Sequence, residues 1–91
     1  MKAQDYIGKT VLVTKLEDLK FNGQHPNFIN PGYTTTGQLA VLDVGDYMYI
    51  APIKMDDWNY LRTSIVESIK ENEDHLLVTT RNSVYKVKIA C

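Results

Sequence analysis

The sequence predicts a small, mainly β domain: an SH3-like antiparallel barrel or sandwich with one short helical turn and a long aromatic loop. Three observations carry that reading. Between Arg62 and Ala90 lie three β-rich runs, Arg62–Lys70, Leu76–Thr80 and Val84–Ala90, separated by turn residues. The last run alternates Tyr85, Val87 and Ile89 with Val84, Lys86 and Lys88, the period-two pattern of a half-buried antiparallel strand. No segment holds a helical period long enough for a βαβ crossover, which argues against a parallel sheet. Roughly six short strands at this spacing favour closure, and closure removes the exposed edges that promote aggregation.

Taken in order, Ile7–Thr14 reads as the first strand, with Gly8 suited to a bend at its start. Thr14-Lys15-Leu16-Glu17 then has the spacing of a capping box, in which a hydroxyl and a carboxylate satisfy the first free N–H groups of a helix. A short α or 3₁₀ segment is expected from there to Lys20. The competing reading is an irregular edge strand continued by Leu16 and Leu19.

Residues 21–38 are the least regular part. Asn22-Gly23 and Pro31-Gly32 are turn dipeptides, and Pro26 and Pro31 bias the residues before them away from helix. Loops of this length are usually functional or disordered. Phe21, Phe28, Ile29 and Tyr33 make this one too apolar for a disordered tether, so it is expected to be ordered and draped over the barrel. Leu39–Leu42 is a short strand stopped by Asp43-Val44-Gly45-Asp46. The next, Asp46–Ala51, sets Tyr47 and Tyr49 on one face and Met48 and Ile50 on the other. Pro52 ends it, because proline cannot donate to a ladder. Residues 53–61 form a second polar-aromatic loop holding Asp56, Asp57, Trp58 and Tyr60. The closing meander turns at Asn72–His75 and at Arg81–Ser83.

The 91 residues suffice for one domain, spanning 1–91. A chain of this size buries only about 60–65% of its unfolded surface, so its core is thin. Cys91 is the only cysteine and reads as a free thiol in a reducing compartment. No apolar h-region opens the chain and no apolar run approaches spanning length, so no membrane association and a cytoplasmic location are expected. The formal charge is −1 with both signs scattered, which argues against binding driven by phosphate neutralisation.

Candidate chemistry is sparse. His25 and His75 form no zinc spacing with Cys91. Asp56-Asp57 lacks the further oxygen ligands of a calcium loop and a second positioned group for acid–base work. Ser64, Ser68 and Ser83 sit in no nucleophile motif, and no phosphate-cradling glycine loop occurs. Neither catalysis nor a cofactor or metal is therefore expected. Tyr47, Tyr49, Trp58, Tyr60 and Tyr85, with Arg62 and Arg81, are the functional candidates by residue type, and a partner is expected to dock on the loop rings Phe21, Phe28, Tyr33, Trp58 and Tyr60, with Arg62 beside them. Rings and arginine make effective interface anchors, and the strand pattern does not require these ones. Tyr47, Tyr49 and Tyr85 are read first as core.

Arg62-Thr63-Ser64-Ile65-Val66, followed by Val78-Thr79-Thr80-Arg81-Asn82-Ser83-Val84-Tyr85, resembles the closing hairpins of short bacteriophage-type proteins. Val44-Gly45-Asp46-Tyr47-Met48-Tyr49 is similar to the strand entry of SH3-like barrels. The likeness covers about half of the chain and brings no catalytic residue. It implies a phage- or mobile-element-encoded binding module, in the host cytoplasm, that modulates or inhibits a host defence or regulatory macromolecule. A protein partner is expected first, a second copy of the chain next. The alternatives are a nucleic-acid-binding accessory module using Arg62, Arg81, Lys86 and Lys88, and a virion or self-assembly component.

Overall fold

The computed structural model describes residues 2–18, 32, 34–52 and 61–90, with the Asp18 side chain left out. A 3₁₀ turn, η1 (Ala3–Tyr6), precedes β1 (Thr10–Asp18), β2 (Thr34–Val41), β3 (Tyr47–Ala51), β4 (Leu61–Glu71), β5 (Leu76–Thr80) and β6 (Ser83–Ile89). The six strands form a closed antiparallel barrel in chain order. β6 returns to pair with β1 from Val11↔Ile89 to Asp18↔Ser83. The architecture is thus a barrel and not a sandwich.

Alternation fills the interior. Val11 and Val13 of β1, Leu39 of β2, Met48 and Ile50 of β3, Leu61 and Val66 of β4, Leu76 and Val78 of β5, and Tyr85 and Val87 of β6 are all buried in one core. Ile89 packs against that core, so the inward face expected for the last strand is the observed one. In a barrel this narrow, side chains pack the lumen and leave no channel. Tyr47 and Tyr49 stand half-buried on the outer face of β3, so of the three strand tyrosines only Tyr85 belongs to the core.

Closure of so few strands demands sharp bending, and bulges supply it. The β3–β4 ladder shifts between Tyr47↔Ile65 and Tyr49↔Arg62. At that point Thr63 Oγ1 accepts the Met48 N–H at 3.0 Å and donates to the Ser64 carbonyl at 2.8 Å. A side chain thereby takes over a bond that the displaced strand no longer supplies.

Two expectations need correcting. The first strand runs through Thr14 to Asp18, so Thr14 and Glu17 cap no helix. The ladder with β2 ends at Thr14↔Thr34, and beyond it pairing with β6 from Lys15↔Tyr85 to Asp18↔Ser83 satisfies this backbone, which outweighs the local capping signal. Leu16 instead continues β1, irregularly, with a register shift between Lys15 and Glu17 and with β6 alone as the paired strand there, as the competing reading has it; Leu19 lies outside the described residues. Among the described residues the short helical turn lies at Ala3–Tyr6 instead. Residues 34–38, read as loop, form the first half of β2.

Because neighbouring strands alternate in direction, the barrel has two ends. At the upper end β1, β3 and β5 finish and β2, β4 and β6 begin; the foot is the other end. η1 closes the foot with the fully buried Tyr6. Gly8 N donates to Leu39 O at 2.7 Å and Leu39 N to Lys9 O at 3.0 Å, which hold the entering chain against β2. Among the described residues, no helix is long and apolar enough to cross a membrane.

Candidate functional site

The chain leaves β1 at Asp18 and returns at Thr34, and leaves β3 at Ala51 and returns at Leu61. Both departures and both returns lie at the upper end. The connections carrying Phe21, Phe28, Tyr33, Trp58 and Tyr60 therefore start and finish at one end of the barrel. Those five residues, with Asp56, Asp57, His25 and Cys91, lie outside the described residues, as does the expectation of an ordered, draped loop.

Arg62 is described. It is exposed on the outer face near the start of β4, with its guanidinium carbon 4.7 Å from the centroid of the Tyr47 ring on β3. Tyr49 is its register partner. A cation over a ring face holds the long side chain in place at little cost, giving a planar donor group a defined position.

Buried polar side chains collect beneath this end, among the apolar Ile50, Leu61, Val78 and Tyr85. Lys15, Thr63, Thr80 and Ser83 are the buried polar and charged side chains among the described residues, and each lies within three residues of an upper strand end. Lys15 continues the inward series of Val11 and Val13, and its carbonyl accepts the Gly32 N–H at 2.8 Å. Gly32 takes a φ of 93°, which only glycine adopts without strain. Thr80 Oγ1 organises the β5–β6 turn, accepting the Ser83 N–H at 3.1 Å and donating to the Ser83 carbonyl at 3.0 Å. Arg81 N donates to Ile65 O at 3.0 Å, laying this turn across β4. Lys15 and Thr63 were not singled out from the sequence. The signal for Lys15 was present, since it follows two inward valines at period two.

Comparison with protein families, with curated proteins and with solved structures returns no match for this chain. Its site is therefore read from its own residues.

At the foot, the β4–β5 hairpin joins His75 and Asp74, with Nδ1 and Oδ1 2.7 Å apart, while Asn72 Nδ2 approaches His75 Nε2 at 3.3 Å. The bond from His75 holds the Asp74 carboxyl below its ordinary value, with the charges of His75 and Lys88 assisting. Both ring nitrogens have partners, so the pair reads as a hairpin clasp. Among the described residues, no three His, Cys, Asp or Glu side chains are grouped to hold a metal ion.

The four cations of the nucleic-acid reading fall in two groups, Arg62 and Arg81 at the upper end and Lys86 and Lys88 along the flank. Arg62 leans over β3, Arg81 sits in the β5–β6 turn, and Lys86 and Lys88 pair across from Thr14 and Leu12 of β1.

Proposed function

We propose that this chain is a non-catalytic binding module whose partner surface is the upper end of the barrel. One observation carries the reading: the connections between β1 and β2 and between β3 and β4, which hold the surplus aromatic residues, are anchored at the same end. Mouths of barrels are recurrent binding sites, because a rigid wall can position several loops against one ligand. Phe21, Phe28, Tyr33, Trp58 and Tyr60 supply the ring surface and Arg62, steadied by Tyr47, supplies a charged anchor at the rim. The resemblance of the closing hairpins to phage-type proteins adds that the partner is a host protein, held so as to modulate or inhibit it.

The test is affinity capture from host lysate with mass spectrometry, using the parent chain, Trp58→Ala, Phe28→Ala and an outer-strand control, Lys86→Ala. The partner should be retained by the parent and the control, and lost or weakened by about 1–2 kcal/mol with either loop variant. Thermal melting of every variant confirms that the fold survives. Undiminished capture by both folded loop variants would move the interface away from the upper end.

A further inference from the structure

We propose that the foot of one copy of this chain docks on the flank of another. The contact is independent of the upper end and uses two surfaces that complement each other in charge.

The argument starts from exposed apolar side chains. Among the described residues the large hydrophobics left in solvent are Ile7 (41% exposed), Leu12 (37%), Leu16 (43%) and Val44 (58%). They fall into two pairs. Ile7 follows η1 at the foot and Val44 sits in the β2–β3 turn, whereas Leu12 and Leu16 lie on β1 at the flank.

Each pair carries its own charge. A groove of about 490 Å³ at the foot is lined by Ile7 and Leu42 and by the carboxylates of Asp43, Asp46 and Glu71, against the single ammonium of Lys2. Glu71 Oε2 accepts the Ala3 N–H and Asp46 Oδ1 accepts the Tyr47 N–H, so both have further oxygen capacity, and Asp43 is exposed. The flank is richer in the opposite sign, with Lys70, Lys86 and Lys88 on it and the carboxylate of Asp74 within reach of the Lys88 charge. Lys88 is the register partner of Leu12, and Lys70, Leu77, Lys86 and Thr14 form one continuous row across β4, β5, β6 and β1. Glu17 stands at the upper margin of this surface.

A net charge of −1 hides this separation, and a chain near neutrality repels its own copies weakly. A lysine stem entering the groove covers apolar wall while its ammonium meets carboxylates. Leu12 and Leu16 would be shielded by Ile7 and Val44 in the same contact. The foot is not the flank, so the contact is heterologous. It leaves a free foot and a free flank on every pair, and builds chains of copies unless rotation closes a ring.

Complementation tests this directly. A foot variant, Asp43→Asn with Val44→Ser, and a flank variant, Leu12→Thr with Lys86→Gln, change residues that are exposed or half-exposed, and melting curves confirm their folds. Sedimentation at about 0.5 mM and low salt, a concentration suited to a small transient interface, should show the parent self-associating and each variant alone sedimenting as a monomer. Mixed in equal amounts, the two variants should form a 1:1 pair and nothing larger, because each retains the surface its partner lacks. Added salt should weaken both assemblies. A monomeric parent at that concentration, self-association unaffected by either folded variant, or a mixture no heavier than its components would each overturn the proposal.

Discussion

Gly37 of β2 lies against the carbonyl of Ala51 on β3: a Cβ at Gly37 would stand 2.5 Å from Ala51 O and 2.6 Å from Ile50 Cγ2. Its φ is not in the left-handed region, so the need for glycine is one of space. The strands approach here because β2 must bend into the closed sheet, and one obstacle is backbone that cannot rotate aside. Gly37→Ala should destabilise the barrel by about 2 kcal/mol, a fall in Tm of roughly 8–16 °C for a domain of this size. Thermal unfolding checks it, and an unchanged Tm would mean that the strands separate at no cost.

Tyr6 is fully buried among Val11, Leu39 and the rest of the core, and its hydroxyl has no hydrogen-bond partner among the described residues. A buried hydroxyl without a partner has lost water and gained nothing. Tyr6→Phe should therefore raise stability by about 1 kcal/mol, measured by urea unfolding. Burial also pushes the phenol above its ordinary 10.0, with Asp74 and Asp5 adding to the effect. The neutral form is thus favoured in the fold. The phenol's contribution is intact below the unfolded-state value and is lost as pH rises through the folded one. Unfolding between pH 10 and the folded value should accordingly be less steep in the phenylalanine variant. A destabilised Tyr6→Phe would show that the hydroxyl is satisfied, for instance by a bound water.

What the sequence disclosed and what it hid both follow from these contacts. The closing meander was legible because Tyr85, Val87 and Ile89 keep strict alternation and the turns at Asn72–His75 and Arg81–Ser83 are chemically distinct. β1 was cut short because Lys15, an inward residue, breaks the apolar period, and Thr14 with Glu17 imitates a helix start. The first half of β2 looked like loop because Gly37 is a poor strand residue unless a neighbouring strand needs its space. Tyr6 gave no warning, since a single ring before a strand has no periodicity to reveal it. The upper end was legible as residue types only. Which end each loop shares is a property of strand direction, and that appears only when the barrel closes.

Asp74 and His75 give a pH-dependent signature. The bond from His75 lowers the Asp74 carboxyl from its ordinary 3.8, so the charged form is favoured in the folded hairpin. The associated stability is present above the unfolded value and lost as pH falls through the folded one. In an NMR titration the Asp74 carboxyl should titrate below 3.8 in the parent and move back up in His75→Ala. Because Asp74 is exposed, the global Tm near neutral pH should change little. An Asp74 titration that is the same in both proteins would remove His75 as the cause.

The placement of Arg62 apart from Lys86 and Lys88 sets the last expectation. A nucleic acid gains affinity by neutralising phosphates along one continuous track, and its dependence on salt reports how many cations share that track. Here Arg62 is held over Tyr47 on β3, while Lys86 and Lys88 face outward beside β1. Fluorescence anisotropy with short labelled duplex and single strands should show no saturable binding at about 0.15 M salt. Arg62→Ala should cost the fold no more than about 1 kcal/mol, the range of an exposed cation–ring contact. It should weaken capture of the protein partner while Lys86→Ala leaves that capture intact. A micromolar complex with either strand type, whose salt slope falls by similar amounts in Arg62→Ala and Lys86→Ala, would place both cations on one nucleic-acid path and displace the protein-binding reading.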